Sequence, residues 1–135
     1  MTKKASAYLS LTEQGPAISW KTRKQQTVAL SSCESEYMAL CATTQEVIHL
    51  SNLFNDFKSV MKVGSSGDSV KPVVVHVDNQ GAIDLAKNPV HHDRSKHIDI
   101  KYHFTRDCYK NKVIEIVHVS TGDNVSDLLT KHLQK

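Results

Sequence analysis

Apolar positions fall into two periods along this chain. Leu40, Thr43, Val47, Leu50 and Phe54 follow one another at steps of three and four, which is one face of a helix. Ser31 with Glu34 three residues on fits a capping box. The spacing therefore predicts a long helix from about Ser31 to about Phe57. One further step back along the stripe lands on Glu36, a carboxylate at the N-terminal end of the buried face.

Shorter apolar runs predict strands. "ASAYLSL" from Ala5 and "AISW" from Ala17 flank "TEQGP", whose Gly-Pro chemistry suits a turn, so the two form a hairpin. "KTRKQQ" from Lys21 is expected as a basic loop, and 62–71 ("KVGSSGDSVK") as an internal flexible linker. "PVVVHV" from Pro72 is almost continuously apolar, which predicts a central strand covered on both faces. A short helix runs from there to about Asn88, stopped by Pro89. Another is expected from Ser95, with Ile98, Tyr102, Thr105 and Tyr109 on one face. "VIEIVHV" from Val113 is a further strand. A last helix, capped at Asp123 or Asn124, would bury Val125, Leu128, Leu129 and Leu133. The order β-β-α-β-α-α-β-α is that of a mixed α/β domain.

At 135 residues, the length suits one domain with a modest core, 1–135. A net charge of +3 permits nucleic-acid binding without requiring it. Cys33, Cys41 and Cys108 are odd in number and form no CxxC, as expected of reduced thiols in a cytoplasmic or nuclear protein. No apolar run is long enough for a membrane span, and "MTKKASAYLS" is too polar for a signal peptide. His91, His92, His97 and His103 cluster in sequence, but no pair of them has the i, i+4 spacing of a helical zinc site. His76 alternates with Val75 and Val77 as a strand residue. Lys21, Arg23 and Lys24 are a solvated turn or a phosphate-contacting surface.

Three carboxylates are placed for chemistry. Glu36 starts the long helix, Asp78 ends the central strand, and Asp127 falls in the first turns of the last helix. In open α/β sheets, sites form outside the carboxyl ends of strands. Acids gathered there repel unless a divalent cation holds them, and Mg²⁺ takes oxygen ligands while keeping waters. Each acid also has an ordinary role open to it. Asp127 could complement a helix dipole, Asp78 could cap the helix that follows, and Glu36 could turn outward.

The combination carries a resemblance. "ISWKTRKQQTVALSSCESEYMAL", "VHVDNQGAIDLAKNPVHHDRSKHIDIKYHF" and "VSDLLTK", in that order, closely resemble the ribonuclease H domain of copia-type retrotransposon polyproteins. The resemblance implies a ribonuclease H-like mixed sheet with helices on both faces. It also implies hydrolysis of the RNA strand of an RNA–DNA hybrid with two Mg²⁺ (or Mn²⁺) ions. The family's acids fall on Glu36, Asp78 and Asp127, as catalytic residues and metal ligands. Its groove-contacting residues fall on Ser32, Cys33, Asn79 and Gln80, which would meet the 2′-hydroxyls of the hybrid. A reverse transcriptase region upstream in the parent polyprotein is the implied neighbour.

One departure shapes the expectations. The family's first strand, which is central and carries the first Asp, has no counterpart here. The only acids before Glu36 are Glu13 and Glu34. The two-ion site is then incomplete, and the chain alone is expected to be weak or inactive. The sheet is expected to be interrupted between "ASAYLSL" and "PVVVHV", with self-association through the unpaired strand edge. Two other readings stand beside the enzyme: a non-catalytic nucleic-acid-binding or interaction module, and a decayed element fragment.

Overall fold

The computed structural model describes residues 4–9, 18–24, 31–62, 71–88 and 96–125. Its elements are β1 (Lys4–Leu9), β2 (Ser19–Lys24), α1 (Ser32–Met61), β3 (Val73–Val77), α2 (Gln80–Lys87), α3 (Lys96–Lys110) and β4 (Ile114–His118). This is a mixed α/β arrangement, and the first seven elements expected from the sequence are present in order. The expected last helix lies largely outside the described residues. Its first residue to be described, Val125, is exposed rather than buried.

α1 starts where the capping pattern places it. Ser31 is extended (φ −148°, ψ 164°), and its hydroxyl accepts from the Glu34 N–H at 3.1 Å. The helix ends at Lys62, a left-handed residue (φ 51°) whose N–H donates to the Lys58 and Ser59 carbonyls. α1 has 30 residues, or about 45 Å at 1.5 Å per residue. Leu40, Thr43 and Val47 are buried as the stripe requires, and Leu50 packs at the edge of the core. Phe54 does not follow them inward: it is 51% exposed, because α1 outruns the described elements that cover its first half.

The strands form two separate sheets. β1 and β2 pair antiparallel, with Lys4 opposite Lys24 and Leu9 opposite Ser19. Residues 21–24, expected as a basic loop, are thus the second half of a strand. The ladder takes in Lys21, Arg23 and Lys24 opposite Ala7, Ala5 and Lys4. β3 and β4 pair parallel, with Val75 opposite Ile116. Among the described residues no ladder joins the two sheets, as expected of an interrupted sheet.

β3 departs from expectation in one respect. Val75 and Val77 are buried, whereas Val74 and His76 are exposed, and β4 repeats this with Ile114 and Ile116 against Glu115 and Val117. Side chains alternate across a strand. α1, α2 and α3 all pack on the Val75–Ile116 face, so among the described residues helices cover one face, not both. A run of valines satisfies either arrangement, and its apolar character does not report a second layer.

The core is a single cluster. Tyr37, Leu40, Cys41 and Val47 of α1 meet Ala82, Ile83 and Ala86 of α2, Cys108 of α3, and the inner residues of β3 and β4. Tyr37 stacks at a tilt on Tyr102, with centroids 4.4 Å apart, and its hydroxyl donates to the Tyr102 carbonyl at 3.3 Å. Arg106 is buried, and its Nη2 donates to the carbonyls of Leu85 and Asn88, each at 3.3 Å. A cation at carbonyls of a helix C-terminus is favourably placed for the helix dipole.

Two measurements test this packing. Cys41 is buried, and its thiol pKa is pushed up to about 11 by desolvation. The folded state therefore holds that proton after the unfolded chain has lost it. Stability should be full below the ordinary thiol value and should fall as pH rises from about 9 to 11. Urea unfolding across that window should show a decline that is shallower in Cys41→Ala. Arg106→Met should cost about 1–2 kcal/mol in the same assay, because it removes the donor from two helix-end carbonyls, of half-buried Leu85 and exposed Asn88.

Candidate functional site

The carboxyl end of β3 is where the fold gathers polar groups. The parallel ladder continues past β3 and β4 through the Val119 N–H, which donates to the Val77 carbonyl at 2.9 Å. The chain then bends at Asp78, which is half-buried, and enters α2. Asn79 is the cap: it is extended, and its Oδ1 accepts from the Ala82 N–H at 3.0 Å. The capping role that the sequence left open for Asp78 thus belongs to its neighbour. Gln80, exposed in the first turn, donates from Nε2 to Asp84 Oδ1 at 3.0 Å.

The start of α1 is held against this same place by a glycine. A Cβ on Gly81 would lie 2.9 Å from Cys33 Sγ and 3.2 Å from Asn79 Oδ1, so an added methyl would make one of these side chains shift. Ser32, Cys33, Asn79 and Gln80, distant in sequence, therefore stand at two abutting helix starts. Glu36 lies one turn beyond Cys33, on the same side of α1, and is half-buried. Fold and packing thus direct Glu36 and Asp78 to one end of the molecule. Asp127 lies outside the described residues. Lys21 is exposed on β2 in the other sheet.

The chemistry available here is that of oxygen donors. Burial, followed by the nearby Asp84 and Glu34 carboxylates, raises the Cys33 pKa, so the thiol stays neutral and acts as a packing group. Carboxylates such as Glu36 and Asp78 are the ligand type of a hard cation such as Mg²⁺. Among the described residues, no group of three or more His, Cys, Asp or Glu could hold a metal ion. The two acids therefore fit Mg²⁺ in kind, while a full set needs donors beyond those described.

Sequence reasoning did not single out Gly81. Its signal was available: a glycine at the second position of a short helix marks a close approach or lowers helix propensity without return. The contact gives a direct test. In Cys33→Ala, which removes the closest contact and leaves that to Asn79 Oδ1 at 3.2 Å, Gly81→Ala should be close to neutral, as helix propensity offsets the remaining crowding. With Cys33 present the same change should cost about 1–2 kcal/mol, through the clash. A double-mutant cycle by urea unfolding that shows no coupling would contradict the geometry.

Comparison with known proteins gives a consistent direction. The chain is 39% identical over 129 residues to the retrovirus-related Pol polyprotein from transposon TNT 1-94 of Nicotiana tabacum, covering 96% of this chain and 9% of the relative. It is 38% identical over 118 residues to the corresponding polyprotein from transposon RE1 of Arabidopsis thaliana, covering 87% of this chain and 8% of the relative. The polyprotein from transposon RE2 of the same plant is 37% identical over 118 residues, with the same shares. No family model and no solved structure matches. The chain spans less than a tenth of the length of these curated relatives. Over most of its length, then, the chain is homologous to one stretch of the retrovirus-related Pol polyproteins of plant transposons.

Proposed function

We propose that this chain is a ribonuclease H-like region of a copia-type retroelement Pol polyprotein. Its ligand would be an RNA–DNA hybrid, and Glu36, Asp78 and Asp127 would be its metal-binding acids. The observation that carries this reading is the close approach at Gly81. It sets the start of α1, with Glu36, against the strand end that bears Asp78.

Each residue then has a definite task. Asp78 and Glu36 would supply carboxylate oxygens to Mg²⁺ or Mn²⁺, with Asp127 as the third acid. When bound, such ions activate water and stabilise the leaving oxygen of a phosphoryl displacement. Asn79 spends its Oδ1 on the α2 cap, which leaves its Nδ2 to donate into the hybrid's minor groove. Gln80 donates to Asp84, which leaves its Oε1 to accept from a ribose 2′-hydroxyl, the group that distinguishes RNA from DNA. Ser32 and Cys33 flank them. Lys21, Arg23 and Lys24 would contact phosphates from β2.

Three acids are one fewer than the four that the resemblance implies. The 135-residue chain by itself should therefore bind metal weakly and cleave slowly at best. Titration with Mn²⁺, followed by paramagnetic broadening of amide signals, should affect residues 36 and 78–80 first. Asp78→Asn should remove that effect. On a labelled RNA–DNA hybrid with Mg²⁺, little cleavage is expected. Broadening that spares residues 36 and 78, or rapid cleavage unchanged in Asp78→Asn, would overturn the assignment.

A further inference from the structure

The last three turns of α1 carry an apolar face that none of the described elements covers. Leu53, Phe54, Phe57, Val60 and Met61 are each more than half exposed, Val60 by 79%. Isolated apolar residues on a surface are ordinary, but five on adjoining turns of one helix are not. Their spacing matters more than their number. Starting from Leu50, steps of three and four reach Leu53 or Phe54, then Phe57, then Val60 or Met61. That is the repeat by which one helix packs along another. The stripe is continuous with the buried one at Leu40, Thr43 and Val47.

Charge decides what fits there. Between Leu50 and Met61 the only charged residues are Asp56 and Lys58. They sit one residue to either side of Phe57, hence about 100° to either side of it around the helix. The apolar face is thus flanked by a negative charge on one side and a positive charge on the other. Lys58 lies on the Phe54 side, with its Nζ 5.2 Å from that ring's centroid. Such a face is complementary to itself. A two-fold axis running along the helices puts Asp56 of one copy on the same flank as Lys58 of the other, twice over. An antiparallel pairing would set Asp56 against Asp56 and Lys58 against Lys58.

We propose that this face joins two copies of the chain, through parallel packing of the last three turns of α1 about a two-fold axis. Contact stops there because the same stripe is already buried further back, at Leu40, Thr43 and Val47. Contiguous exposed apolar patches of roughly 300–600 Å² on monomers are often functional. Five residues a side fall short of the roughly 20–30 of a standard interface, so a weak, concentration-dependent association is expected. The proposal does not depend on the nuclease reading, since none of these residues belongs to the Glu36–Asp78 end.

Sedimentation equilibrium of the full chain tests it. A monomer–dimer equilibrium is expected at concentrations up to about 100 µM. Phe57→Glu should weaken it at least tenfold, while leaving the helical circular dichroism unchanged. Asp56→Lys should weaken it by roughly three- to tenfold, by placing two lysines on each flank. Adding Lys58→Asp to that variant should restore it. A chain that stays monomeric at every concentration would overturn the proposal, and would leave the face to another region of the polyprotein. A dimer indifferent to Phe57→Glu would overturn it too. Weakening by Asp56→Lys without rescue in the double variant would overturn the parallel arrangement.

Discussion

Everything described in this protein rests on one long helix. α1 packs against β1, β3, α2 and α3, while the two sheets share no ladder among the described residues. In most α/β domains hydrogen bonds tie all the strands together, and the helices cover a sheet that already exists. Here the joint between the hairpin and the β3–β4 pair is made through side chains of α1. The polar bond from Ser19 Oγ to Glu46 Oε1, at 3.2 Å, belongs to that joint. Apolar packing is not directional, so it can hold two sheets side by side without setting the spacing that a ladder would impose.

The same helix sets the position of the candidate site. Its first turn is pinned by the Ser31 cap and by the contact of Cys33 with Gly81. Both are short-range. Further along, Tyr37 on Tyr102 and Cys41 near the Lys101 carbonyl lock it to α3. Glu36 lies between these fixed points. Its side chain is thus carried by the best-supported part of the helix, the condition for holding a reactive geometry. Among the described residues the far end of α1 has no comparable support, and its apolar residues are exposed. One element is therefore anchored at the site end and open at the other.

Homology to Pol polyproteins gives these two ends a context. The relatives are polypeptides more than ten times as long as the matched stretch. In those relatives the matching stretch lies within a much larger chain, where an uncovered helix face is less anomalous than on a free-standing domain. Strand edges fall under the same consideration, since an open edge is a place where a further strand can add.

Much of this was legible in the sequence. Element order, the Ser31 start of α1, the end of α2 at Asn88 and the strand at Ile114 follow from caps, turn residues and periodicity, because those signals act between residues close in the chain. The two helix starts bearing Ser32, Cys33, Asn79 and Gln80 were picked out by resemblance, and the fold brings them together. Other features depended on which surfaces meet. Residues 21–24 are polar, and only pairing with β1 makes them a strand. "PVVVHV" is apolar on both faces, but helices cover one of them. Phe54 obeys the helical stripe and is still exposed, since periodicity states which side a residue faces and not how far its cover extends. Asp78 and Asn79 are both competent caps, and the backbone path out of β3 gave the role to Asn79. Sequence alone determined the local elements and the acids worth watching. Tertiary structure decided which faces are buried and how closely the elements approach, because those depend on contacts between segments that no local pattern encodes.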